Sequence, residues 1–392
     1  MASTNQRPQT YHAIKPLTYH TPLLDGESMT SWLVRASLNQ GCNPVVLIHC
    51  YWQPYKLWNN DFDKGFNMVA KHIHHDMAVL AKSSVKKFNQ QTTLTFAKQI
   101  DGYTANQRVK WVQPITRASG RRSASGFWYC PICMNNDSTA HLQLAWRFSW
   151  VLYCDKHKIR LQNTCMNCGK VYQPQLLSAK HRYINRCYCC NNRITDVHTL
   201  AESREFDTVT VPSYQLQLLA KSVVETGSGL MFGVEVSTKD WFEALDFVIS
   251  LLRRSKLVNN TTHKKLVQQL FVEIDTDNMP LTSPKTGLSF DYLSDEDRLM
   301  LLHYAYFLVG TPVLAWVNTC QVLCLTKNTF DAIACDSKRI PLAFQAVYDD
   351  LPIFNLNRGL KTAKDFKPKT AINVLRSWQR LQRKMQQEDG VA

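Results

Sequence analysis

Seven cysteines and one histidine form four pairs of potential metal ligands between residues 127 and 193. Two residues separate the members of each pair, a spacing that lets both ligands turn onto one ion, and two such pairs complete a tetrahedral zinc site. The pairs are Cys130 with Cys133, Cys154 with His157, Cys165 with Cys168, and Cys187 with Cys190. The sequence therefore predicts two zinc ions per chain. Because protein ligands would fill both shells, the sites are predicted to be structural and not catalytic.

The intervals between the pairs indicate how they share the two ions. Intervals of 20, 7 and 18 residues favour a sequential assignment, with the first two pairs on one ion and the last two on the other. Two alternatives stay open: a cross-braced RING-like arrangement, in which the first and third pairs share an ion, and a disulfide framework. Gly169 follows the third pair, where a tight knuckle needs positive φ. Cys189 is interpreted as a bystander because it is too close in sequence to Cys187 and Cys190.

Length and composition indicate a folded protein of two or three domains. The 392 residues are 45% hydrophobic and 11% aromatic, which is enough to bury sizeable cores. The N-terminal residues lack the apolar segment of a signal peptide, and no run of 18 apolar residues occurs. We therefore expect an intracellular protein without membrane contact, in a compartment where cysteines stay reduced and bind metal.

Positive charge is concentrated in the first half of the chain. Residues 1–126 hold 15 Lys and Arg against 6 Asp and Glu, residues 127–193 hold 9 against 2, and the remainder holds 22 against 23. The net charge of +15 therefore comes from the first half. Such a distribution is typical of proteins that meet a polyanion, most often nucleic acid. A basic face that serves only solubility would give the same counts.

Helical periodicity dominates outside the cysteine-rich region, so the predicted fold class is mainly α. We expect an extended leader over 1–20, an N-terminal helical domain with a basic linker over 21–126, the double zinc-knuckle region over 127–193 and a C-terminal helical domain over 194–392. Beyond residue 200 only helices are expected, beginning with one from Pro212 to about Thr226 that Gly227 ends.

Two pairs of predicted helices have the spacing of a helix-turn-helix unit. In the first, a helix from Met29 ends at Gly41 and the next begins at Pro44; in the second, Thr326 caps a short helix after a brief turn. A plain helical hairpin has the same spacing. Basic residues near these units, in the linker and in the C-terminal helix are the candidate contacts to nucleic acid or a complex containing it: Arg117, Arg121, Arg122, Lys327, Lys338, Arg339, Arg380 and Arg383.

The sequence lacks the common phosphate-binding, dinucleotide-binding and metalloprotease motifs. Neither GxxxxGK[ST] nor GxGxxG occurs, and there is no HExxH. The deaminase pattern is incomplete, because only Cys130-Pro131-Ile132-Cys133 matches part of it and stands in the wrong order. The protein is therefore predicted not to be an enzyme.

Two stretches taken together resemble the signature of the TniQ family. The first is residues 27–35, ESMTSWLVR, which run on to Asn39-Gln40-Gly41. The second is residues 129–133, YCPIC, followed by an aromatic hairpin with Trp146, Phe148 and Trp150 and by residues 153–157, YCDKH. The resemblance covers residues 20–195. The seven-residue interval before Cys165 and the second half of the chain depart from the family pattern.

The resemblance implies a non-enzymatic adaptor that selects targets for DNA transposition in the bacterial cytoplasm. It further implies a homodimer that sits on an RNA-guided CRISPR surveillance complex, made of protein and guide RNA, and links it to an AAA+ transposition regulator. A sequence-specific DNA-binding target selector of the same family is the alternative, with direct DNA contact. A RING-like ubiquitin-ligase scaffold is a further alternative from another class, and it requires cross-braced ligands.

Overall fold

The protein is mainly helical, as predicted, with an irregular cysteine-rich region between two helical parts. The computed structural model describes residues 14–53, 61–64, 71–103, 108–115, 127–136, 138–195, 211–255, 261–274, 289–333, 339–352 and most of 371–382. Within these ranges the helices of the first 100 residues are α1 (Met29–Asn39), α2 (Pro44–Trp52), α3 (Lys71–Leu80), α4 (Val85–Gln90) and α5 (Leu94–Gln99). The later helices are α6 (Pro212–Thr226), α7 (Thr238–Ser255), α8 (Thr261–Leu270), α9 (Asp295–Gly310), α10 (Val313–Val322), α11 (Lys327–Ile333) and α12 (Gln345–Asp349).

The N-terminal helices begin and end where the sequence predicts. Ser28 caps α1 through a hydrogen bond from the backbone N–H of Ser31, and Gly41 takes a φ of 67° in the turn before α2. The helical spacing of apolar residues also predicts one helix from Phe62 to Leu80, and the structure differs from it in detail. Phe62–Lys64 is a 3₁₀ turn and a regular helix is present only over α3, while residues 65–70 lie outside the described residues.

A small apolar core holds these helices together. Trp32 of α1 is fully buried, and its ring meets the edge of Phe88 in α4 at a centroid distance of 5.2 Å. The Trp32 indole N–H donates to the carbonyl of Thr21 at 2.9 Å, so the chain before α1 is fixed on the same core. A second and larger core joins the cysteine-rich region to the C-terminal helices.

The cysteine-rich region over residues 127–195 is built from 3₁₀ turns and isolated β-bridges instead of longer elements. Bridges pair Tyr129 with Gln162 and Tyr153 with Arg160, and comparable bridges flank the later cysteine pairs. The region has little regular secondary structure but still buries large side chains such as Trp146, Trp150 and Tyr172 in the larger core. Metal ligation would add to the order of its short pieces.

The C-terminal part contains a β-hairpin that the sequence analysis missed. Gly227, with a φ of 87°, ends α6 as predicted, but strands β1 (Ser228–Met231) and β2 (Val234–Ser237) then pair antiparallel before α7 begins. The turn consists of Phe232 and Gly233, both at positive φ, as a two-residue hairpin turn requires. The expectation of helices alone beyond residue 200 is therefore wrong at this point.

The second predicted helix pair corresponds to α10 and α11, which a turn over residues 323–326 connects. Whether this pair, or α1 with α2, acts as a helix-turn-helix unit stays a prediction. No single helix of the described residues is long and apolar enough to span a bilayer; α9 and α10 reach that measure only as a pair, bent by 98°.

The chain divides into two compact units, residues 1–352 and residues 353–392. In the second unit the described residues are helical between 371 and 382. The apolar side chains Ile372, Leu375 and Trp378 are exposed there. The domain boundaries expected at residues 20, 126 and 193 stay predictions.

Candidate metal centres and their supports

The first ligand cluster brings the first two pairs together, with ligand atoms of Cys130, Cys133, Cys154 and His157 all within 4.8 Å of one another. The Nδ1 atom of His157 lies 3.3 Å from the Sγ of Cys130 and 3.2 Å from that of Cys133. The Sγ atoms of Cys133 and Cys154 are 3.8 Å apart. A tetrahedral ion with Zn–S bonds of about 2.3 Å places two sulfurs about 3.8 Å apart. The cluster therefore has the dimensions of a metal shell.

The second cluster contains the last two pairs, Cys165, Cys168, Cys187 and Cys190, again within 4.8 Å. The sulfur of Cys165 lies 3.8 Å from that of Cys190, and the sulfur of Cys168 lies 3.6 Å from that of Cys187. A disulfide would need about 2.05 Å, and these cysteines are free. The pairs share sites in sequential order. The cross-braced arrangement and the disulfide framework are therefore both excluded.

Three of the four pairs sit on the same backbone knuckle. The N–H of the first ligand donates to the carbonyl five residues on, and its own carbonyl accepts from the N–H four residues on; this holds at Cys154, Cys165 and Cys187. The residue four positions on has a positive φ each time: 54° at Lys158, 67° at Gly169 and 61° at Asn191. The interpretation of Gly169 is confirmed, although a glycine is not required at the other two positions.

The thiols of the first cluster perturb one another strongly. Hydrogen bonds with Cys133 and Cys154 raise the pKa of Cys130, whereas hydrogen bonds with Cys130 and Cys133 lower the pKa of Cys154 to about 2. The physical cause is the close approach of the three sulfurs, because a thiolate is stabilised when it accepts S–H hydrogen bonds from neighbouring thiols. A divalent cation at the centre would replace these bonds by ligation of every sulfur as thiolate. The donor set thus fits a soft or borderline metal ion.

Helix α1 is hydrogen-bonded to the segment that links the two halves of the first cluster. The sequence predicts a hairpin here, but the described residues form a 3₁₀ turn over Leu144–Arg147 and make single bridges to Glu27 and Val112 instead of pairing with one another; the segment is called the hairpin below only for its position. The backbone N–H of Leu142 donates to the Ser31 hydroxyl at 2.9 Å, and that hydroxyl donates to Glu27 at 2.8 Å. Glu27 is fully buried and accepts a hydrogen bond from Arg35 Nη1 at 2.7 Å. Gly26, at a φ of 70°, allows the close approach of this chain to the hairpin, since a Cβ there would collide with the side-chain oxygen of Gln143.

A buried charge cluster makes a second connection between the same two parts. Arg147 of the hairpin pairs with Asp61 at 2.6 Å and also with Asp63, and all three are nearly inaccessible. Asp63 in turn accepts the backbone N–H of Thr30 in the first turn of α1 at 2.8 Å. Burial raises the pKa of Asp63 although Arg147 opposes the shift. The positive charge of Arg147 and the negative charges of Asp61 and Asp63 compensate one another, so the loss of one would leave another buried without a counter-charge.

The C-terminal helices hold the opposite side of the hairpin. Gln217 of α6 accepts the N–H groups of Leu152 and Tyr153 at 2.8 and 3.0 Å and donates to the Tyr153 carbonyl at 2.9 Å, directly before Cys154. Arg298 of α9 is fully buried and donates to the Ser149 carbonyl at 2.7 Å. Burial lowers the pKa of Arg298 to about 10. The hairpin before Cys154 is therefore fixed from both sides.

The predicted nucleic-acid contacts are only partly within the described residues. Lys327 places its ammonium 5.0 Å from the ring centroid of Tyr348, an intramolecular cation–π contact. Arg339 is exposed. The remaining candidates lie outside the described residues: Arg117, Arg121, Arg122, Lys338, Arg380 and Arg383. Their roles stay predictions.

Sequence reasoning did not find the residues that support the first cluster. Asp61 and Asp63 are separated from Arg147 by more than 80 positions, and nothing in their local sequence marks them as buried. Gln217 likewise occupies an ordinary position in an amphipathic helix. The one signal available in the sequence is a run of polar residues at the start of a mainly apolar helix: Ser28, Thr30 and Ser31.

The fold and the two clusters define a mainly helical protein with two Cys/His sites that could each hold a metal ion. Residues 18–161 match the model of the TniQ family, a span that contains α1, the first cluster and both sides of the Ser31–Leu142 contact. The chain therefore contains a TniQ domain over these residues. A search of curated proteins finds no match. The TniQ domain suggests an adaptor role in transposition target selection, and the family is non-catalytic, consistent with a protein that is not an enzyme.

Proposed function

We propose that this protein is a non-enzymatic adaptor that links an RNA-guided CRISPR surveillance complex to an AAA+ transposition regulator. The observation that carries the proposal is the TniQ domain, whose two signature stretches are joined in space by the Ser31–Leu142 hydrogen bond. An adaptor must hold separate binding faces in a fixed relation. The segment between the halves of the first cluster would serve this purpose within residues 1–352, because helices before and after it in the sequence are hydrogen-bonded to it.

Both metal sites are proposed to hold zinc. Three thiolates with one imidazole, and four thiolates, are the donor sets of closed structural zinc sites. The sulfur separations of 3.6 to 3.8 Å match a tetrahedral shell. No ligand position would remain for a bound water, so zinc would supply order and not chemistry.

The direct test is an integration assay in which the guide RNA is changed. We expect insertions to move with the guide's target when the protein, the surveillance complex and the AAA+ regulator are all present, and to be lost when the protein is omitted. Copurification of the protein with the surveillance complex, and light scattering of the complex, would measure the proposed contact and the proposed homodimer. Guide-directed insertion that persists without the protein would reject the proposal.

The second candidate is a sequence-specific DNA-binding target selector of the same family. The basic first half of the chain, with 15 basic against 6 acidic residues over 1–126, favours DNA contact. In the same assay this function predicts insertions at one fixed site whichever guide is used. Binding to one duplex that survives random competitor would agree with it, whereas weak binding lost with salt would reflect phosphate attraction alone.

A further inference from the structure

The chain around the second cluster carries positive charge without any acidic residue. Between Asp155 and Asp196 no Asp or Glu occurs, while eight basic residues do: Lys156, Lys158, Arg160, Lys170, Lys180, Arg182, Arg186 and Arg193. A zinc ion with four thiolates has a charge of about −2, and one with three thiolates and an imidazole about −1. The eight basic residues therefore carry more positive charge than is needed to neutralise both metal centres.

Most of this charge faces solvent. Arg160 is paired with Asp295 and Glu296 at 2.7 and 2.8 Å, so it contributes little. Five others are exposed and form no salt bridge within the described residues: Lys156, Lys158, Lys170, Lys180 and Arg182. Charges that the fold itself leaves unpaired are available to an external anion.

Three of these residues lie on well-defined backbone. Lys170 follows Gly169 in the knuckle of Cys165, at the second cluster. Lys180 lies within the 3₁₀ turn Ala179–His181 and Arg182 directly follows it, and the Ala179 N–H of this turn donates to the Asn43 side chain at 3.0 Å, at the start of α2. The charge is thus held on ordered backbone and not on a loose tail.

A polar cleft opens at Tyr183, the residue that follows Arg182 in the sequence. It has a volume of about 610 Å³ and is lined by Ile132, Asn135, Asn136, Ser138, Tyr183 and Arg193. The Tyr183 ring is 39% exposed. An exposed aromatic ring beside amide, hydroxyl and guanidinium groups is the chemistry that receives a sugar or base next to a phosphate.

We propose that Lys170, Lys180, Arg182 and the adjoining cleft bind the sugar–phosphate backbone of a nucleic acid. Exposed cations near a cleft that offers hydrogen-bonding groups and an aromatic ring fit a phosphate chain better than an acidic protein, because an acidic protein has no regular counterpart for the ring and the amides. The inference deepens the adaptor function and rests on it for its biological setting. DNA and guide RNA share this backbone chemistry, so the experiment must separate them.

The test compares two triple variants of the full-length, zinc-loaded protein. The first is K170Q/K180Q/R182Q. The matched control, K82Q/K86Q/K98Q, removes the same charge from exposed lysines of the N-terminal helices. Fluorescence anisotropy would follow binding to labelled duplex DNA and to single-stranded RNA of about 30 residues over a salt series. Zinc content and thermal melting equal to wild type would show that both variants are folded.

We expect the first variant to lose about tenfold or more in affinity at low salt and to reduce the log–log salt slope by about 2 to 3, since each phosphate contact contributes about 0.9 on duplex DNA and about 0.7 on single strands. The control should change the slope far less. Loss confined to one probe would identify that nucleic acid as the partner. An equal loss in both variants, or no loss in the first on either probe, would overturn the proposal. Guide-directed integration by wild type would stand in either case, so the two failures are distinguishable.

Discussion

The Ser31 hydroxyl accepts the backbone N–H of Leu142 at 2.9 Å and donates to Glu27 at 2.8 Å. Ser31 belongs to the first signature stretch and Leu142 to the hairpin between Cys133 and Cys154. Without Ser31 the buried N–H of Leu142 would lack its acceptor. The two motifs are distant in the sequence but are joined by this hydrogen bond, which gives a physical reason for their joint occurrence in the domain.

Ser31→Ala should destabilise the protein by about 1–3 kcal/mol, because it leaves the buried N–H of Leu142 without its acceptor. Urea unfolding would measure the change. Ser37→Ala is the matched control, since the Ser37 hydroxyl is equally buried but bonds only to Leu33 of the same helix at 2.7 Å. Equal losses in the two variants would contradict the role assigned to Ser31.

Cys130→Ser and Cys165→Ser should each lower the zinc content by about one ion per chain, because each removes one ligand from a different closed shell. Metal analysis by mass spectrometry would give the count. Exposed Cys189 lies beside the second cluster but outside its ligand set, so Cys189→Ser should retain two ions. A wild-type protein with one zinc ion or none would refute the two-site assignment.

Arg147→Met should cost about 3–5 kcal/mol, because Asp61 and Asp63 would stay buried without their cation. The variant that also carries Asp61→Asn and Asp63→Asn should recover part of this loss. Arg160→Met provides the contrast: its partners Asp295 and Glu296 are solvent-accessible, so the cost should stay below about 1 kcal/mol. Thermal unfolding of the three proteins tests this order.

Burial lowers the pKa of His74 from 6.5 to about 4, so its contribution to stability should depend on pH. Between these values the unfolded chain binds the proton that the folded chain excludes. The contribution is therefore fully present above about pH 6.5 and is lost, on the order of 3 kcal/mol, as the pH falls towards 4.

His74→Leu should remove this pH dependence, whereas His75→Leu, at an exposed position of the same helix, should keep the wild-type profile. Urea midpoints measured at several pH values would give the profiles. Acid also releases zinc by protonating its ligands, so the informative quantity is the difference between each variant and wild type. If the stability of His74→Leu depended on pH as steeply as that of wild type, the role assigned to His74 would be contradicted.

The sequence was sufficient for features that local chemistry dictates. The ligand spacing fixed which cysteines cluster, and Pro44 and Gly227 marked helix ends that the structure shows. Both depend on neighbouring residues alone, through chelation geometry in one case and backbone torsion preference in the other.

Features that depend on tertiary contacts were not predictable. The β1–β2 hairpin lacks alternating burial and turns at Phe232, a residue type that local preference does not place at positive φ. Arg147 and Arg298 have the side chains least expected in a core. Their burial follows from partners far away in the sequence, which no local pattern reveals.

The hairpin before Cys154 also determines the order in which the chain can fold. Its bond to Ser31 spans 111 residues and its bond to Arg298 spans 149, so closure of these contacts is non-local and entropically slow. During synthesis α1 can complete its contacts to this segment only after the first cysteine cluster has emerged. Metal supply at that moment would then set how much newly made chain becomes native instead of aggregating.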